Sequence, residues 1–255
     1  MALPFLFARE GPGVSFFLSC SQIRLIQTVP QSYQVIIFTI LNNYVSGKNC
    51  LCFSTTVVLK RKMQIQSPES FIKLNFEQST EEWLSWRRQG IGASDAPVIM
   101  GHSPWQKESE LLLLKTGQMK ERPANGAMQR GKRLEPLARL AYVNHTGIDV
   151  APMCVQSLAY AWMRASLDGL SADGLHVVEI KCPGEKDHQL ADSGFVPEKY
   201  YAQLQHILAV TGLAEISYWS FRFDHTVLLK IKRDEIFITG LIEKEAAFWA
   251  RVCQN

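Results

Sequence analysis

The chain has 255 residues, of which 47% are hydrophobic and 20% charged, a balance that can bury one substantial core and excludes a wholly disordered polypeptide. Its six cysteines, Cys20, Cys50, Cys52, Cys154, Cys182 and Cys253, contain no paired CxxC and no cysteine–histidine cluster, which argues against a zinc module or a disulfide framework and fits a reducing cytoplasm. A net charge of +3 does not by itself call for nucleic acid, so any phosphate contact must come from a local basic groove.

Residues 1–62 are unlike the rest. They carry six basic residues (Arg9, Arg24, Lys48, Lys60, Arg61, Lys62) and one acid, Glu10, hence +5 against −2 for the remainder. Polar or proline interruptions at Ser19, Gln22, Arg24, Gln27, Pro30 and Asn42 leave no apolar run of the roughly 18 residues that span a bilayer. Arg9 and Glu10 also interrupt what a secretory leader would need. Ordinary composition begins at Met63. The expectation is therefore an atypical extension over 1–62, disordered or lying upstream of the native start, and one functional domain over 63–255.

From Ser79 the signals sharpen. Ser79 and Glu82 have the spacing of a capping box ahead of a short helix carrying Trp83, Leu84 and Trp86. A turn is expected at Gly90 to Gly92, and a helix over Glu108 to Lys115 ended by Gly117. Met128 to Thr146 reads as a second helix stopped by Gly147, with Pro136 marking a kink or restart. Trp162 to Leu167 and His176 to Lys181 are expected strands, joined by a turn that includes Gly169 and Gly174. Glu198 to Thr211 is helical in pattern, Glu215 to Phe221 and Thr226 to Lys232 form a hairpin, and an amphipathic helix closes the chain from Asp234 to about Val252. This order predicts an α/β domain, a mixed central β-sheet flanked by helices.

The chemistry concentrates in Ser166-Leu167-Asp168-Gly169 and Glu179-Ile180-Lys181. On a strand, Glu179 and Lys181 project from one face while Ile180 points to the other. If Asp168 ends the partner strand, its carboxylate joins them and makes a hard, oxygen-rich pocket suited to Mg2+ or Mn2+. Such a pocket suits phosphodiester hydrolysis, with Lys181 placed to hold the attacking water. Taken alone, Glu179 and Lys181 read as a solvated ion pair on a strand face, which is the common case for a single E-x-K.

The company these residues keep is more specific. An R-G-K-R-L-E-P-L-A-R helix precedes them and Y-Y-A-Q-L-Q follows, and across Trp83 to Leu229 the sequence resembles the lambda exonuclease and YqaJ-like viral recombinase nucleases. These belong to the wider restriction-endonuclease-like group. The resemblance implies that Asp168 and Glu179 bind metal, that Ile180 adds its backbone carbonyl, and that Lys181 is the catalytic lysine. It further implies that Glu135 is a helix-borne acid near the metals and Gln203 an active-site glutamine. From the residues alone, Glu135 is equally an exposed acid balanced by Arg139, and Gln203 a polar position on an amphipathic helix.

Arg87 and Ser94, in W-L-S-W-R-R-Q-G-I-G-A-S, resemble the family's first motif, in which an arginine and a serine seven residues later bind a DNA phosphate. A guanidinium grips phosphate through two parallel hydrogen bonds, and Gly90 and Gly92 allow close backbone approach. Ser94-Asp95 reads equally as a helix N-cap. Arg130, Lys132, Arg133 and Arg139, with Lys186 and Lys199, are a candidate phosphate track. Trp162, Trp219 and Trp249 are expected in the core, Cys182 is expected to pack, and none of the six histidines is assigned to a metal.

The resemblance thus implies a magnesium-dependent enzyme that degrades one strand of linear double-stranded DNA from a 5′ end, working with a single-strand annealing protein in phage-type recombination. A ring-shaped homotrimer is implied in the same way. An endonuclease using the same site, or a DNA-binding module that has lost turnover, are the competing readings.

Overall fold

The computed structural model describes residues 70–120, 123 and 125–254, together with the backbone of four strands nearer the N-terminus. The chain divides into two units, Met1–Gln66 and Ser67–Asn255, a boundary just past Met63. In the first unit, strands β1 (Phe17–Ser19), β2 (Ile23–Leu25), β3 (Tyr33–Ser46) and β4 (Asn49–Lys62) form an antiparallel sheet in which β3 pairs with the other three. The expectation of a disordered or non-native extension over residues 1–62 falls on a segment whose side chains and connecting residues lie outside the described residues.

The second unit opens with β5 (Phe71–Leu74) and helix α1 (Glu81–Arg88). The α1 cap is Thr80, one residue later than the sequence spacing suggests: its Oγ1 accepts from Trp83 N, while Ser79 takes a positive φ of 75° and leaves the helix path. Gly90 to Gly92 is not a free turn, since Ile91–Gly92 forms strand β6 and is buried against the sheet. Helices α2 (Ala96–Ile99), α3 (Glu108–Lys115) and α4 (Gly126–Thr146) follow. The α4 helix runs through Pro136 as one element rather than restarting. Proline there removes one backbone hydrogen bond, but buried Ala138 and Tyr142 in the following turns anchor the continuation.

Strands β7 (Ala151–Ser157), β8 (Met163–Leu170) and β9 (Val177–Lys181) come next, then helices α5 (Glu185–Asp192) and α6 (Glu198–Thr211). The hairpin β10 (Glu215–Phe221) and β11 (Thr226–Lys232) and the helix α7 (Glu235–Gln254) complete the chain. The hairpin has the bounds that the sequence predicts. The seven-stranded sheet runs β11-β10-β9-β8-β7-β5, with β6 beside β8. The β9–β10 and β6–β8 pairs are parallel and the others antiparallel. The sheet is therefore mixed, as expected for this α/β class.

Two apolar layers cover the sheet. One packs Leu204, Ile207 and Leu208 of α6 on Ala165, Leu167, Val177, Ile216 and Tyr218. The other packs Ala138 and Tyr142 of α4 on Val178, Ile180 and Trp219. Alternation along β9 sends Val177 and Val178 to opposite layers, as the two-residue strand period requires. Trp219 is 1% exposed, its Nε1 donating to Ala138 O at 2.9 Å, while Trp162 and Trp249 pack against a third apolar cluster.

One detail of β8 places the site. The edge of β8 opposite β7 is shared between two partners: β6 pairs at Met163 and Arg164, and β9 at Gly169 and Leu170. Ala165 to Asp168 therefore face a gap between β6 and β9. Asp168 and Gly169 lie inside β8, not at its end or in the following turn as the sequence suggested. The turn comes later, with Gly174 at φ 73°. Gly169 belongs in the strand because a Cβ there would lie 2.7 Å from Val178 Cγ1 and 2.8 Å from Val150 Cγ2.

Candidate active site

At the end of the β8–β9 ladder, the Ile180 N–H donates to Asp168 Oδ2 at 2.7 Å. The carboxylate thus ties the two strands where they part, and this brings Asp168 to Glu179 and Lys181. Lys181 Nζ lies 2.6 Å from Glu179 Oε1 and 3.1 Å from Gln203 Oε1, and Gln203 Nε2 donates to Glu179 Oε1 at 2.6 Å. Glu179, Lys181 and Gln203 close a three-membered polar ring between β9 and α6. It is not the solvated pair that an isolated E-x-K allows, because the Glu179 side chain is only 3% exposed.

Glu135 approaches from α4. Its Oε1 pairs with Arg139, and Arg139 Nε donates to the Asp168 backbone carbonyl at 2.6 Å. The i,i+4 pair of the plain helix reading is thus present, and it leans against the site. Burial pushes the Asp168 carboxyl well above the usual range, with the Glu179 and Glu135 charges adding to the rise and Lys181 opposing it. Burial also raises Glu135, against Arg139, with Glu179 adding to the rise. Burial would depress Lys181, but the negative charges of Glu179 and Asp168 outweigh it and hold the amine as an ammonium ion.

The donor set suits a hard cation. Glu179 Oε2 is buried with no hydrogen-bond partner, an arrangement that is costly unless something binds there. Two mutually repelling carboxylates beside it present only oxygen, the donor type magnesium and manganese take. Among the described residues, however, no three histidine, cysteine, aspartate or glutamate side chains group as a ready metal cluster. Glu135 is paired with Arg139, which leaves Asp168 and Glu179 as the side chains that could hold a metal.

The first-motif residues line the same gap. Arg87 Nη2 donates to Ser94 Oγ at 2.9 Å, and the guanidinium lies 4.6 Å from the Trp83 ring centroid. A cleft lined by Trp83, Arg87, Ser94, Ser166 and Gln203 joins this pair to the polar ring. Ser94 is exposed and does not cap α2. Asp95 holds that N-cap position, yet its side chain makes no capping bond either. Instead Asp95 Oδ2 accepts from Gly92 N at 2.8 Å and lies 2.6 Å from Lys115 Nζ. Burial would raise the Asp95 carboxyl, but Lys115 and Arg87 outweigh it and hold it below the usual range.

Sequence reasoning missed that brace. Lys115 also donates to the backbone carbonyls of Arg87 and Gly90, at 3.0 and 2.8 Å, so one ammonium from α3 ties the end of α1, where the arginine sits, to the segment that leads to Ser94 and Asp95. Twenty positions separate Asp95 from Lys115, and no spacing rule links them. Arg164 was missed too; it is buried, its guanidinium donating to the Trp86 carbonyl and lining the same cleft. Among the basic residues, Lys132 bonds Ser79 at 2.8 Å and Lys199 pairs with Asp187 at 2.7 Å, while Arg130 and Arg133 are exposed. Burial pushes the Cys182 thiol up to about 11, which makes it a poor nucleophile or metal ligand.

The YqaJ-like viral recombinase domain matches residues 82–214, the stretch that carries every residue of this site. The chain belongs to that family. It is 29% identical over 181 residues to protein YqaJ of Bacillus subtilis strain 168, an alignment covering 69% of this chain and 57% of that one. The chain thus spans little more than half the length of that relative, and the alignment with protein R354 of Acanthamoeba polyphaga mimivirus covers 30% of R354. Among solved structures, the alkaline exonuclease LHK-Exo of Laribacter hongkongensis superposes with a TM-score of 0.59 at 29% identity, covering 68% of this chain and 92% of that one. A phage-related exonuclease of Haemophilus somnus 129PT, 14% identical, shares the fold with a TM-score of 0.51 over 65% of this chain and 94% of its own. The mixed sheet and its flanking helices are those of the alkaline exonuclease nucleases. No described helix is long and apolar enough to cross a membrane.

Proposed function

We propose that this YqaJ family member is a magnesium-dependent deoxyribonuclease that degrades one strand of linear double-stranded DNA from its 5′ end. The observation that carries this reading is the buried Glu179 Oε2, left without a partner beside Asp168 and within the ring that Glu179 makes with Lys181 and Gln203. LHK-Exo, an alkaline exonuclease whose fold matches 68% of this chain over 92% of its own length, supports it.

In this reading Asp168 and Glu179 hold the metal, completed by the Ile180 carbonyl and by Glu135 if it leaves Arg139. Bound magnesium or manganese supplies a polarised phosphoryl oxygen and a more acidic water. Lys181, kept charged by its carboxylate neighbours, donates a hydrogen bond to the attacking water rather than taking its proton. Gln203 fixes the lysine by accepting from it while donating to Glu179. Arg87 and Ser94 bind the terminal 5′-phosphate and so set which bond reaches the acids.

The biological setting in this reading is taken by resemblance to the family: action on duplex ends in the cytoplasm, a single-strand annealing protein as partner, and a homotrimer that keeps the enzyme on its strand. The deciding experiment is a time course on end-labelled linear duplex and closed circular DNA, in magnesium and in EDTA. Loss of linear DNA alone, in magnesium alone, is expected. Rapid nicking of the circle points to the endonuclease reading, and DNA binding without cleavage of either form to an inactive module.

A further inference from the structure

Trp105 lies in the loop ahead of α3 and is 59% exposed. One face is covered. The indole stacks on Tyr200 with centroids 6.4 Å apart and planes 30° from parallel. Lys199 Nζ lies 5.2 Å from the Trp105 centroid and 5.3 Å from that of Tyr200, and is itself held at 2.7 Å by Asp187. The backbone is fixed by Trp105 N donating to Ser103 Oγ at 3.3 Å.

Tyr200 connects this surface ring to the site. Lys181 Nζ sits 4.9 Å from the Tyr200 centroid, and Tyr218 lies behind it with ring centroids 6.2 Å apart and planes tilted by 31°. A row of rings therefore leads from solvent to Lys181 with one tyrosine between, and its outermost member leaves much of its surface open. A ring held flat by a neighbouring ring and a lysine loses little freedom when a second planar group stacks on it. Nucleobases are the planar groups that a nuclease brings to such a place, and stacking on them tolerates every sequence.

We infer that Trp105 is a base-stacking platform that holds a nucleobase of the bound strand close to the phosphodiester being cut. The inference rests on the nuclease reading above. Trp105 touches the base, Tyr200 and Lys199 hold the platform in place, and the chemistry stays with Lys181 and the carboxylates.

The test compares the wild-type chain with Trp105→Ala and Trp105→Phe on duplexes in which one abasic nucleotide is moved stepwise inward from the attacked end. KM and kcat are measured in magnesium, binding by tryptophan fluorescence in EDTA, and folding by thermal melting. At one position the missing base should raise the wild-type KM by on the order of tenfold. Trp105→Ala should show a similar rise on intact DNA and no further penalty at that position, with an unchanged melting temperature, and Trp105→Phe should recover most of the loss. Wild-type cleavage indifferent to every abasic position, or an alanine variant that still discriminates like wild type, overturns the platform and leaves the nuclease reading standing. A fluorescence change on binding that is lost in Trp105→Ala, with no cleavage by any form, overturns the nuclease reading and leaves the platform.

Discussion

Lys181 and Glu179, two residues apart on β9, form a 2.6 Å ion pair in which the carboxylate is 3% exposed and the ammonium 21%. A pair this enclosed differs from a surface salt bridge because removing either partner strands the other in a poorly solvated place. Lys181→Ala should reduce DNA cleavage by at least about a hundredfold, the range typical of a positioned proton-handling group. It should also lower the melting temperature more in EDTA than in magnesium, where a bound cation replaces the lost charge. An alanine variant with near wild-type turnover removes the lysine from the mechanism.

The bond between Arg87 and Ser94 joins the two groups proposed to bind phosphate, and both line the cleft. Duplex with a 5′-phosphate should therefore be degraded much faster than the same duplex ending in a hydroxyl, and Arg87→Ala should erase the difference. Displacing the scissile bond by about 1 Å is enough to cost on the order of a hundredfold. Equal rates at both ends with the wild-type protein would count against the 5′-end assignment. Lys115→Met, which removes the brace between the end of α1 and Asp95, should weaken phosphate discrimination without touching Asp168 or Glu179.

The raised Asp168 carboxyl makes a prediction about pH. Burial and the Glu179 charge mean the folded chain holds this proton more tightly than the unfolded one, whose aspartate titrates near about 3.9. The stability from that proton is full below the unfolded value and is lost as pH rises through the raised one. Metal-free protein should thus melt at progressively lower temperature as pH rises through the raised value, and magnesium should restore it. Asp168→Asn should remove this part of the pH dependence and weaken the magnesium effect. Melting curves across pH, with EDTA or magnesium, decide it, and a wild-type profile insensitive to magnesium at every pH argues against metal at this carboxylate.

His206 and Glu245 form a separate pair, fully buried beneath the sheet, with Nδ1 2.8 Å from Glu245 Oε1 and Nε2 2.8 Å from the Arg164 carbonyl. Both nitrogens face acceptors, so Nε2 donates and one proton is shared at the other end. Burial would depress His206, but Glu245 outweighs it and raises the imidazole, while burial raises Glu245 itself despite His206. These directions favour opposite owners for the proton. The doubly accepting surroundings of the ring support the imidazolium. Its stabilisation is full below about 6.5 and declines as pH rises through the raised value. Glu245→Ala should destabilise the domain by about 3–5 kcal/mol, the usual consequence of breaking a buried pair, and chemical denaturation measures it. A loss under about 1 kcal/mol would show that the pair is held by packing alone.

Local pattern was enough for much of this molecule. Local sequence pattern set the bounds of the β10–β11 hairpin and of α3 and α6, and Gly147, at φ 70°, stops α4 where the sequence places the stop. The same two-residue period put Glu179 and Lys181 on one face before any contact was known, since strand geometry depends only on the chain itself. Motif order then drew attention to Asp168, Gln203, Glu135, Arg87 and Ser94. What local pattern could not supply was adjacency between distant segments. That β6 and β9 share one edge of β8, leaving a gap in front of Asp168, depends on strand pairings far apart in sequence. The brace from Lys115 to Asp95, and the contact from Arg139 to the Asp168 carbonyl, exist only once that sheet is assembled. Burial was decided there too. An E-x-K on a strand is a solvated pair or a reactive one according to what covers it, and α6 covers it here because its apolar face packs on β8 and β10, carrying Gln203 to the carboxylate.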